Sequence, residues 1–177
     1  MLRKIVSYGL LAGLVVAVPL CVLVVATHGR PVPYGEWIGY ATMLLAFSLV
    51  FVAVKRHRDH ARGGVIGFWP ALGLGLGISA VASLVYVLAW EALLAFTGID
   101  FAAGYAELLI EQRKAAGASA EALAKLSADM QAFKAEYANP LVRLPMTFAE
   151  IFPVGVLVSL AAAGLLRNRR FLPLRRM

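Results

Sequence analysis

Four long stretches of this chain carry almost no charge, and that constrains it more than any motif does. They run over about 5–27, 37–54, 68–96 and 144–166. A helix rises about 1.5 Å per residue, so each can cross a hydrocarbon layer roughly 30 Å thick. Within lipid every backbone polar group must be satisfied inside the segment, which selects helices. The expected fold class is therefore all-α: a polytopic membrane protein of four transmembrane helices forming one membrane domain over 1–177. The first stretch is longer than the core of a signal peptide, and no Ala-x-Ala site follows it, so it is taken as a mature helix. The third exceeds what a bilayer requires, so tilt or protrusion is expected.

Charge is confined to the ends of these stretches. Arg3 and Lys4 precede the first; Lys55, Arg56, Arg58 and Arg62 fill a basic loop after the second; Arg167, Arg169, Arg170, Arg175 and Arg176 form the tail. All three groups fall on one side of the membrane, where Asp59 is the single acid. The other side mixes Arg30, Arg113, Lys114, Lys125, Lys134 and Arg143 with Glu36 and the acids of 100–139. The positive-inside rule makes the dense side cytoplasmic, with both termini there. The net charge of +7 is thus read as anchoring and as contact with anionic lipid head groups, through Lys55, Arg56, Arg58, Arg62, Arg167, Arg169 and Arg170. Nucleic acid is not expected as a partner.

Between the third and fourth stretches the composition changes. From Asp100 to Asn139 the chain is rich in Ala, Glu, Lys and Gln. Phe101, Tyr105 and Leu108 recur at helical spacing. Gly117-Ala118 interrupts, and Ser119 can cap a second helix with Glu121 in its first turn. There Leu123, Leu126, Met130, Phe133 and Tyr137 alternate three and four apart, the stripe of a helix that packs on another. An extramembrane helical hairpin over about 100–139 follows, ended by Asn139-Pro140.

Glu91 and Glu150 lie inside apolar stretches. An intramembrane carboxylate is costly unless paired, solvated or protonated, and is a functional candidate by default. With Glu36 at the mouth of the second stretch, three carboxylates share the half of the membrane nearer the hairpin. Converging, they could hold a cation, relay a proton or bind a cationic head group. Paired locally, with Arg30 or Arg143 for example, they would only stitch helices. Tyr86 and Trp90 beside Glu91 could supply cation–π attraction, but interfacial anchoring is the favoured reading.

Other features have bland readings. Rows of small residues (Gly9/Gly13; Gly73/Gly77; Ala71/Gly75/Ser79; Gly155/Ser159/Ala163) let helices approach closely and indicate internal bundle packing ahead of a dimer interface. His57 and His60 sit one turn apart among basic residues with no further ligand, so no metal site is assigned. Cys21, the only cysteine, excludes an intrachain disulfide and reads as apolar packing. No phosphate loop, dinucleotide fingerprint, zinc-protease helix or nucleophile elbow occurs. No catalytic residue and no cofactor are assigned.

Several stretches resemble a bacterial membrane family, domain of unknown function 4199. They are Gly39-Tyr40 with Met43 and Ala46-Phe47; Lys55 with Arg58-Asp59; Gly63-Gly64 with Phe68; Tyr86 with Trp90-Glu91; Tyr137 with Asn139-Pro140; and Thr147-Phe148 with Glu150-Ile151-Phe152-Pro153. The resemblance implies a four-helix protein of the bacterial inner membrane and carries no activity. The first functional expectation is a non-catalytic interaction or assembly protein of the cell envelope. It would work beside membrane lipids and engage another envelope protein, or itself, through a periplasmic hairpin or the small-residue rows. The alternative is a small transporter or an ion- or lipid-binding protein using Glu91 and Glu150.

Overall fold

A computed structural model describes residues 1–173 except Pro31 and Pro33, and the backbone alone of Glu36. The side chain of Glu36 and residues Arg175 and Arg176 therefore lie outside the described residues. Among the described residues six helices follow in order: α1 (Leu2–Ala26), α2 (Gly35–Ala61), α3 (Phe68–Thr97), α4 (Phe101–Ala115), α5 (Ala120–Tyr137) and α6 (Pro140–Leu166). Among the described residues there is no strand. α1, α2, α3 and α6 are long and apolar enough to span a membrane.

α1 packs on α3 and α2, and α6 packs on α3 and α2, so the four form a closed bundle. The small-residue rows are its seams. A Cβ added at Gly9 would lie 2.5 Å from Val81 Cβ, and one at Gly13 would lie 2.6 Å from Val85 Cβ. Gly77 meets Ile5 in the same register, so α1 and α3 run parallel. α6 runs antiparallel to α3: Gly75 faces Ser159, and Gly155 faces Ser79. Ser79 and Ser159 bond through their hydroxyls at 3.2 Å across this seam. Bare backbone faces give dispersion contact where lipid offers no hydrophobic drive. Gly73 meets nothing and faces out, so its row with Gly77 is not a single seam.

Residues 55–61, expected as a loop, are the last two turns of α2. The change has a cause at Arg58, whose side chain is only 1% exposed. Its guanidinium donates to Asp59 Oδ1 at 2.7 Å, to Phe171 O at 2.9 Å and to Leu172 O at 2.5 Å, with a longer bond to Leu166 O. Those carbonyls belong to the end of α6 and the chain beyond it. A cation at a helix C-terminus is favoured by the free carbonyls and the dipole. Lys55 Nζ donates to the other oxygen of Asp59 at 2.6 Å. Arg58 is thus withdrawn from the expected lipid-contact set. Arg56, Arg62, Arg167, Arg169 and Arg170 stay exposed.

α4 and α5 pack on each other as a hairpin. Asp100 caps α4 by accepting from Ala103 N, and Ser119 caps α5 by accepting from Ala122 N. Gly117, at φ +77°, makes the turn between them. Asn139 caps α6, with Pro140 in its first turn. From Phe101 to Tyr137 no large apolar side chain is exposed. The stripe on α5 is half-buried, against α4 and α6.

Candidate functional site at the hairpin end of the bundle

The α3–α6 seam ends in charge. Four residues at a time, its α3 row passes from Gly75 and Ser79 to Glu91, and its α6 row passes from Ser159 and Gly155 to Arg143. There Arg143 Nε donates to Glu91 Oε1 at 2.6 Å and Nη2 donates to Oε2 at 2.5 Å. This parallel two-bond pairing is the strongest ion-pair geometry available to arginine. The side chains are 14% and 23% exposed. The remaining terminal nitrogen of Arg143 donates to Tyr137 O at 3.1 Å, and the guanidinium lies 5.6 Å from the centre of the Tyr137 ring. Thr147, one turn before Glu150, donates to Arg143 O.

Trp90 and Tyr86 are both buried, which corrects their reading as interfacial anchors. Trp90 Nε1 donates to the Tyr137 hydroxyl at 2.7 Å and packs edge-on to Phe101 at 4.9 Å. Rings then follow one another from Phe101 to Tyr105, Phe133 and Tyr137, closing a circuit that joins α3 to both hairpin helices. Burial pushes the Tyr137 phenol up; the Trp90 bond and Arg143 oppose this, while the Glu150 and Glu91 carboxylates add to it. Exposed aromatics fit anchoring better on α2, where Trp37 and Tyr40 are 72% and 53% exposed.

Beside the latch formed by the Glu91–Arg143 and Trp90–Tyr137 contacts, an open cavity of about 350 Å³ is lined by Glu91, Arg143, Asp100, Lys134, Tyr137 and Phe101 with apolar neighbours. Lys134 Nζ lies 2.8 Å from Asp100 Oδ2, and this pairing holds the Asp100 carboxyl below its ordinary range.

Glu150 differs. The register of the seam sets it level with Leu84 of α3, two turns after Arg143 on the same side of α6. It is exposed. Among the described residues it forms neither a salt bridge nor a hydrogen bond. Glu91 and Glu150 therefore do not share a site in the way the sequence allowed: one is neutralised by Arg143 and the other stands alone. His57 and His60 also diverge. Lys4 Nζ donates to His57 Nδ1 at 3.4 Å inside the bundle, whereas His60 is exposed and bonds Arg56 O.

A family model described as a protein of unknown function (DUF4199) matches residues 7–168. The chain belongs to this family. No curated protein and no solved structure matches it. The stretches that carry the family resemblance supply most of both polar clusters: Lys55, Arg58 and Asp59 at the basic end, and Trp90, Glu91, Tyr137 and Asn139 at the hairpin end. Arg143 lies between those stretches. Its signal in the sequence was the four-residue row from Ser159 through Gly155, which, continued, reaches it.

Proposed function

We propose that this DUF4199 protein is a non-catalytic membrane protein that binds a cationic group at Glu150. One observation carries the reading: Glu150 lies within a helix long and apolar enough to span a membrane and has no ion-pair or hydrogen-bond partner among the described residues. Such a group is expensive in hydrocarbon, and its usual company is a cation, a proton path or a polar ligand. Glu91 is not the working group, because Arg143 satisfies both of its oxygens. Docking through the hairpin becomes the second reading, since the apolar stripe it relied on is already half-buried within the chain. What favours it still is the rigid seat that the Trp90–Tyr137 and Glu91–Arg143 contacts give the hairpin. In either reading the charge asymmetry supports a bacterial inner-membrane location, with the basic end cytoplasmic and the hairpin periplasmic.

The test is thermal unfolding of the purified protein in detergent with alkali chlorides, magnesium chloride and alkylammonium salts. A ligand at about a hundred times its Kd adds about 2.7 kcal/mol of apparent stability. A cation should raise the midpoint of the wild type and of Glu91→Gln, which itself melts lower, but not of Glu150→Gln. No shift in the wild type, or a shift that survives Glu150→Gln, would refute the reading.

A further inference from the structure

We infer that the cavity at the junction of bundle and hairpin is a head-group site for a zwitterionic phospholipid bearing a primary ammonium. Position is the first argument. Trp69, 76% exposed near the start of α3, marks the basic-side surface as interfacial aromatics do. About twenty residues span the hydrocarbon, so the opposite surface falls near residue 89 of α3. The last turns of α3, with Glu91 and Gly98, then stand among head groups, and so does the cavity they line.

Charge is the second argument. Two ion pairs of opposite sense line one opening: Glu91–Arg143 and Asp100–Lys134. Their charges cancel, so neither a lone anion nor a lone cation is matched. A zwitterion presents both signs a few ångströms apart. Its phosphate fits Lys134, whose pair with Asp100 is the exposed one of the two. Its ammonium, with three donors, fits the acceptor oxygens of Asp100, since those of Glu91 are taken by Arg143. The Asp100–Lys134 pair is about half exposed, and such a pair opens readily to admit a ligand. The Tyr137 and Phe101 rings form an aromatic wall that also favours an ammonium. Apolar surface follows on: Phe96 and Leu141, 90% and 80% exposed, stand just beyond the cavity-lining Ala95 and Ala138, where acyl chains would lie. The volume of about 350 Å³ is at the lower end of small-ligand sites.

This site uses residues other than Glu150, so its test is separate from the one above. Full-length protein in detergent is titrated with dioleoyl phosphatidylethanolamine, the matching phosphatidylglycerol, and water-soluble glycerophosphoethanolamine, following the thermal midpoint. The ethanolamine lipid should raise the midpoint at concentrations at least tenfold below those needed with the glycerol lipid. The soluble head group should act in the same direction but more weakly. Asp100→Asn keeps the helix cap, and Lys134→Gln removes an exposed charge; each should melt only slightly below the wild type without lipid, since losing an exposed ion pair costs little, yet need at least tenfold more ethanolamine lipid for the same shift. Equal response to both lipids, or an undiminished response in both variants, overturns the proposal. A soluble head group as effective as the lipid overturns the lipid assignment in favour of a free zwitterionic solute.

Discussion

Replacing Arg143 with Met tests whether the latch is structural. The change leaves the Glu91 carboxylate in place and removes both of its partners' bonds, together with the bond to Tyr137 O. Breaking a fully buried pair from one side costs about 3–5 kcal/mol, whereas an exposed pair is worth about 0–1. With side chains 14% and 23% exposed the pair lies between these limits and nearer the buried one. Hydrogen bonds between transmembrane helices have averaged only about 0.6 kcal/mol, because the unfolded chain in lipid also finds partners. Both considerations place Arg143→Met at about 2 kcal/mol of destabilisation. Glu91→Leu should cost about the same, since it strands the guanidinium. The double variant should cost clearly less than the two together, by about 1–2 kcal/mol, because neither orphan remains. Reversible unfolding in mixed dodecyl maltoside and SDS micelles measures all three. Additivity within about 0.5 kcal/mol would refute the argument, as would single variants that each lose less than that.

Two further outcomes follow from the same geometry. Gly155→Ala should destabilise by about 1–3 kcal/mol, because its Cβ would sit 2.6 Å from Ser79 Cβ in a buried seam; Gly73→Ala, with nothing in reach, should be neutral or stabilising by up to about 1 kcal/mol, and the same unfolding assay reads both. Asp100 is depressed below its ordinary value of 3.8, first by its bond to Lys134, so its contribution is present above that pH and is lost as pH falls through the lower folded value; amide exchange in α4 should quicken across that window in the wild type and show less pH dependence in Lys134→Gln.

The four bundle helices were legible because lipid imposes a coarse rule: a long uncharged run must become a helix. The hairpin was legible from its two-sided composition and from Ser119 and Asn139, whose capping is local chemistry. The end of α2 was not. Seven residues rich in Lys, Arg and His read as a hydrated loop, and nothing nearby in the sequence announces that Arg58 turns inward to carbonyls more than a hundred positions later. Asp59 was the available hint. A lone acid among cations has reason to be there, and here it holds Lys55 and Arg58 on one helical end.

Glu91 and Glu150 make the same point about sites. In sequence they are alike: single acids in apolar runs, each about ten residues from the hairpin. What separates them is register. The four-residue rows that bring α3 and α6 into backbone contact carry Glu91 onto the seam opposite Arg143. The same rows carry Ile151 and Thr147 into the core and leave Glu150 beside it, where α6 offers no basic residue between Arg143 and Arg167. A stitch needs two residues in phase on facing helices, and only one of the two acids has such a partner. The other keeps the cost of an intramembrane carboxyl without a described group to offset it. That asymmetry is the reason the proposed cation is placed at Glu150 and not at the ion-paired Glu91.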